Sequence, residues 1–216
     1  MKMHFSIGLS ALLMSSTVFA SVLTLSGESR KIDSVAIASN GSTVVEGRTS
    51  VLTSAGAGLR AKKVVFVNVH VYVAQLLMND PSRFVRTDSG ALESLDNEAT
   101  VVVQMSFVRT VGSNEVQNAF RDSLVANQID PESESIKAFL AAVSAGGDAS
   151  NGKALTLVGE KLADGSEVVT YENNQGEATS IHSGAGFVKQ VFSIWLGETT
   201  DGGLASLKKS ILGASN

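Results

Sequence analysis

The chain has 216 residues, 44% of them hydrophobic, enough to bury one sizeable core and too few for two comfortable domains. Lys and Arg number 17 against 21 Asp and Glu, a formal net charge of −4 with both signs scattered along the chain, and without a basic stripe nucleic acid is excluded as a partner. Cysteine is absent, so no disulfide framework supports the fold and stability has to come from hydrophobic burial.

The N-terminus, "MKMHFSIGLSALLMSSTVFA", carries Lys2, an apolar run too short to span a bilayer, and Val18-Phe19-Ala20 with small residues suited to signal peptidase. Residues 1–20 read as a secretory signal cut after Ala20, with an uncleaved anchor as the alternative. The expected location is the bacterial periplasm or the exterior. No second long apolar segment follows, so no membrane span is expected after cleavage. Residues 21–50, rich in Ser, Gly and Thr, read as a β-like lead-in or edge hairpin before a main domain at 51–216.

From Val51, "VLTSAGAGLRAKKVVFVNVHVYVAQLLM" predicts a strand, a glycine-rich turn and a long strand ending near Ala74. In the long strand Val65, Val67, Val69, Val71 and Val73 share one face, and Phe66, Asn68, His70 and Tyr72 the other. The segment around Asp80-Pro81 is a connection with a short helix. "TVVVQMSFVRT" is a second strand with Val101, Val103, Met105 and Phe107 on one face. Ser113 is the N-cap of a helix carrying Val116, Ala119, Phe120 and Leu124 at helical spacing. Asp130 and Pro131 start a second helix that buries Ile136, Phe139, Leu140 and Val143 and stops at Gly146-Gly147, so the two should pair. Three short strands follow, with turns at Asp164-Gly165 and Asn174-Gln175-Gly176. Two helices close the chain, one with the stripe Phe187, Val188, Val191, Phe192 and Trp195, the other ending at Gly213. Strands, helices, strands and helices in blocks predict an α+β fold with an antiparallel sheet.

The pattern lacks the constellations of hydrolases and metal sites. There is no G-x-S-x-G, and His70 and His182 stand apart from any ligand-spaced partner, so no metal and no cofactor is expected. Gly56-Ala57-Gly58 lacks the rest of a phosphate-binding signature and feeds a strand, so it reads as a tight turn. Arg60 stands out, because a guanidinium among apolar residues costs several kcal/mol unless an anion or carbonyl answers it. An Arg beside an apolar wall describes a site for an amphipathic acid.

These residues also carry a resemblance. "GAGLRAKKVVFVNVHVYVAQLLM", the glycine-turned meander, "FSIWLG" at 192–197 and "LKKSILG" at 207–213 together resemble the bacterial chalcone isomerase-like proteins, over roughly Val51 to Gly213. The resemblance implies an open-faced β-sandwich, a large antiparallel sheet with a layer of helices on one face and a cleft between. In the plant enzymes the cleft holds an Arg, a strand Thr, a Tyr, an Asn and a late Thr or Ser. Here the Arg falls on Arg60, the strand Thr on Val67, the Tyr near Gly112, the Asn near Ala119 or on Asn118, and the late Thr or Ser on Ile194. With Phe107 from the second strand, these residues form the expected ligand wall. Val67, Gly112 and Ile194 cannot donate the hydroxyl that polarises a chalcone ketone, and plant-type isomerase activity is expected to be absent. The leading expectation is a non-catalytic protein that binds a small, fatty-acid-like carboxylic acid with Arg60 as anion anchor. An intramolecular lyase or isomerase on another substrate, and an envelope structural or interaction protein with no ligand, are the alternatives.

Overall fold

Residues 21–213 are the part of the chain that the computed structural model describes, and the expected signal at 1–20 lies outside them. Their elements are β1 (Leu23–Ile32), β2 (Val35–Val45), β3 (Arg48–Val64), β4 (Val67–Met78), α1 (Ala91–Ser94), β5 (Thr100–Phe107), α2 (Ser113–Ala126), α3 (Glu134–Ala145), β6 (Ala154–Lys161), β7 (Glu167–Glu172), β8 (Ala178–Ser183), α4 (Phe187–Leu196) and α5 (Gly202–Ile211). Every pairing is antiparallel, and the spatial order of the eight strands is their sequence order.

The sheet folds over on itself at β3. Arg48 to Thr53 pair with β2, and from Thr53 onward β3 pairs with β4, with a register shift that leaves Ala55 unopposed. Such a bulge bends a strand and lets it pass from one layer to another. Three polar contacts then join strands that are far apart in the hydrogen-bonded order. His182 of β8 meets Glu46 at 2.8 Å, Arg48 donates to Glu160 of β6 at 2.8 Å, and the Val22 amide donates to Glu172 of β7 at 2.9 Å. β1, β2 and the start of β3 therefore lie across the outer face of the main sheet, and the helices cover its inner face.

Alternation along each strand divides the side chains between two cores. On β5, Val101, Val103, Met105 and Phe107 pack toward the helices, while Val102 joins Val22, Leu23, Val45, Leu52, Leu77 and Val158 under the outer layer. α4 buries eight of its ten residues and leaves only Lys189 and Gln190 toward its open side. Full burial of each large apolar side chain stabilises by roughly 1.5–3 kcal/mol. α2 and α3 pair as expected, with the Phe120 and Phe139 rings stacked at 6.0 Å.

The structure departs from the sequence reading in several places. β3 runs unbroken through residue 50, and the expected lead-in is bonded into the same sheet as β1 and β2. Gly56 and Gly58 are mid-strand residues and make no turn. Their missing side chains let the α5 backbone close on β3: a β-carbon on Gly56 would collide with the Ile211 carbonyl, and one on Gly58 would lie 2.6 Å from the Ser210 β-carbon. The turn comes later, at Val65 and Phe66, where Val64 pairs with Val67. Ser113 is the first helical residue rather than the cap, its amide taken by Asp148 at 3.0 Å, and Asp130-Pro131 form a turn ahead of α3, whose cap is Ser133.

The single valine face is also corrected. Arg60 is opposite Tyr72 and Ala61 is opposite His70, so Val71 is an unopposed bulge residue. The extra residue reverses the alternation. Val71 and Tyr72 both turn toward the helices, while Val73 packs on the outer side with Ile37 and Ala57.

Candidate functional site

A cavity of about 540 Å³ lies between the inner face of the sheet and α2, and Ile194 of α4 and Leu204 of α5 line it too. That volume suits a small organic ligand. Val71, Phe107, Val111, Val116, Phe120 and Ile194 give it apolar walls, and Lys62, Arg109, Glu115 and Asp122 also line it.

Arg60 projects into this space with its side chain only 13% exposed. Nη2 donates to Asp201 Oδ2 at 2.5 Å and Nη1 donates to the Ala61 carbonyl. Asp201 is also the N-cap of α5, accepting from the Gly203 and Leu204 amides at 2.8 and 2.9 Å. Gly203 leaves no room for a β-carbon beside the guanidinium, so α5 starts directly against Arg60. Partial burial pushes the Asp201 carboxyl up, but the Leu204 amide, Arg60 and the Gly203 amide outweigh it and hold it below the usual carboxylate range. A guanidinium has five N–H donors, and those of Arg60 beyond these two bonds have no protein acceptor among the described residues.

Tyr72 sits across the strand pair from Arg60 and lines the same cavity. Its hydroxyl accepts from Trp195 Nε1 at 3.3 Å, and its ring packs against Phe107 at 5.3 Å between centroids. Burial pushes the phenol pKa up, so it stays protonated, and its proton has no protein acceptor among the described residues. An anchored cation and a phenol donor are thus cross-strand neighbours in the lining of one cavity.

Residues 30–213 match the family described as chalcone isomerase-like. The chain belongs to that family. Among solved structures it is similar to the fatty-acid binding protein of Arabidopsis thaliana, at 15% identity and a TM-score of 0.52, over 79% of this chain and 95% of that one. The shared architecture is the chalcone isomerase-like fold, a large antiparallel sheet layered with helices. No curated protein matches the chain.

Of the residues expected to line the ligand site of this chalcone isomerase-like chain, Arg60, Phe107, Asn118 and Ile194 meet in the one cavity, with Ala119 beside Asn118. Gly112 is the residue before α2, next to the lining residue Val111. Val67 is a correction: it lies at the β3–β4 tip, 65% exposed, because the chain turns at Val65. The strand residue that faces Arg60 is Tyr72, which the sequence reading assigned to the wrong face. Asp201 was missed as well, although Asp ahead of "GGLASL" is an ordinary helix-start signal. His70 bonds Asp33 and His182 bonds Glu46, both away from the cavity. No group of His, Asp or Glu among the described residues could hold a metal ion, and no helix among them is long and apolar enough to cross a membrane.

Proposed function

We propose that this chalcone isomerase-like protein is exported to the bacterial periplasm and there binds a small amphipathic carboxylic acid, fatty-acid-like, without converting it. One observation carries the reading: Arg60 and Tyr72 are paired across β3 and β4 with unanswered N–H and O–H donors, and both line a cavity with apolar walls. A charge-assisted bond from Arg60 to the acid contributes roughly 1.5–3 kcal/mol, and the phenol adds a neutral bond. The apolar walls take the tail. The fatty-acid binding protein of similar fold supports this choice of ligand class, and the N-terminal segment with Lys2 and Val18-Phe19-Ala20 supports export.

The same two donors can also steady an enolate, which favours an intramolecular lyase or isomerase as the second reading. The carboxylate nearest them, Asp201, is a weak base because three donors hold it ionised. The test is native mass spectrometry of the protein purified from its host's envelope, followed by identification of what is released. A carboxylic acid present in the parent and missing from Arg60→Ala supports binding. An empty parent that takes up no acid from a defined panel rejects it, and turnover of enone acids abolished in Arg60→Ala moves the assignment to the enzyme.

A further inference from the structure

The most exposed apolar group among the described residues is at the β3–β4 tip. Val64, Val65, Phe66 and Val67 are 48%, 76%, 92% and 65% exposed, and they are consecutive. Hairpin tips in water favour Asn, Asp and Gly, which accept left-handed backbone and hydration. Here Val65 holds a φ of +55°, a conformation unfavourable to a β-branched residue, and the next residue points a phenyl ring into solvent. Nothing in the described fold covers this tip.

Its flanks are cationic. Lys62 and Lys63 are exposed and make no ion pair with any described residue, and no acid occurs from Ala61 to Val69. The tip also adjoins the site, since Lys62 and Val64 line the cavity that holds Arg60 and Tyr72. An apolar wedge with two ammonium groups at its base matches the interface of an anionic bilayer, where the wedge enters the acyl boundary and the lysines reach the headgroups. A second copy of the chain fits poorly, because meeting tip to tip would bring four ammonium groups together.

We propose that the tip Val64–Val67, with Lys62 and Lys63, docks on the surface of an anionic lipid bilayer and places the mouth of the cavity against it. The docking stands on the tip alone. Its purpose, exchange of an amphipathic acid between bilayer and cavity, rests on the binding function proposed above.

The test uses the chain from Ser21 onward, which holds every described element, with vesicles of phosphatidylcholine alone and of phosphatidylcholine mixed with phosphatidylglycerol. The parent should float with the mixed vesicles. Phe66→Asp should lower the partition coefficient by at least about tenfold, and Lys62→Gln with Lys63→Gln by roughly ten- to thirtyfold on mixed vesicles only. Phe66→Asp should keep its melting temperature and its affinity for a soluble short-chain acid, whereas Arg60→Ala should lose the acid and keep the vesicles. The two readings can therefore fail separately. The proposal is overturned if the parent stays off mixed vesicles, if Phe66→Asp binds them equally, or if Phe66 instead controls a concentration-dependent self-association.

Discussion

Replacing Asp201 by Asn separates a binding Arg60 from a merely structural one. Asn caps a helix about as well as Asp, so the bonds from the Gly203 and Leu204 amides survive while the negative charge that faces Arg60 is removed. The pair is partly exposed, with Asp201 at 43%, and such pairs contribute about 0.2–1 kcal/mol. If Asp201 competes with an incoming carboxylate for the guanidinium, Asp201→Asn should tighten acid binding by up to about fivefold, the equivalent of 1 kcal/mol. Arg60→Ala should act the other way, weakening it roughly ten- to hundredfold. Isothermal titration with a straight-chain fatty acid, read beside the thermal melt of each variant, measures both effects. The reasoning fails if both variants melt earlier and neither changes acid affinity, because Arg60 would then serve only to hold α5 on the sheet.

Tyr72→Phe should lower acid affinity by roughly two- to tenfold through loss of one neutral hydrogen bond, measured by the same titration. That variant should also melt several degrees lower, because the buried Trp195 Nε1 loses its acceptor. Gly58→Ala should destabilise by about 1–3 kcal/mol, seen as a melting temperature several degrees lower, because its β-carbon would strike Ser210 and push α5 from β3. The same displacement should loosen the Arg60–Asp201 pair and weaken acid binding. Asp201 titrates lower in the folded chain than in the unfolded one, so its stabilisation is complete above about pH 4 and fades as pH falls through the folded value. The melting difference between parent and Asp201→Asn should accordingly be constant near neutrality and close in acid, and a difference that widened in acid would contradict the assignment.

The helices and the meander were legible because their patterns are local. Phe187, Val191, Phe192 and Trp195 repeat at helical spacing, and Asp164-Gly165 and Asn174 to Gly176 mark their turns in single words of sequence. The hairpin of β3 and β4 was not legible. Its turn is made by Val65 and Phe66, residues with strand preference, while the glycines that resemble a turn are mid-strand for the sake of α5, a helix about 150 residues further along the chain. The site lost Val67 because that residue lies at this turn, and it gained Tyr72 because a single bulge at Val71 exchanged the faces beyond it. Arg60 was found because a cation beside valines is chemically conspicuous. Its partner Asp201 was not, since the pairing is a tertiary event.

Because the spatial order of the strands is their order along the chain, no strand has to wait for a distant partner before it can hydrogen-bond. A polypeptide delivered N-terminus first, through a pore or from a ribosome, can add each strand to the edge of the one before. The exception is the outer layer. Glu46, Arg48 and Val22 find His182, Glu160 and Glu172 only after the last strands exist, across sequence separations of 136, 112 and 150 residues. The topology thus allows sequential assembly, with the closing of the first hairpin over the sheet, which seals the second core, dependent on the last three strands.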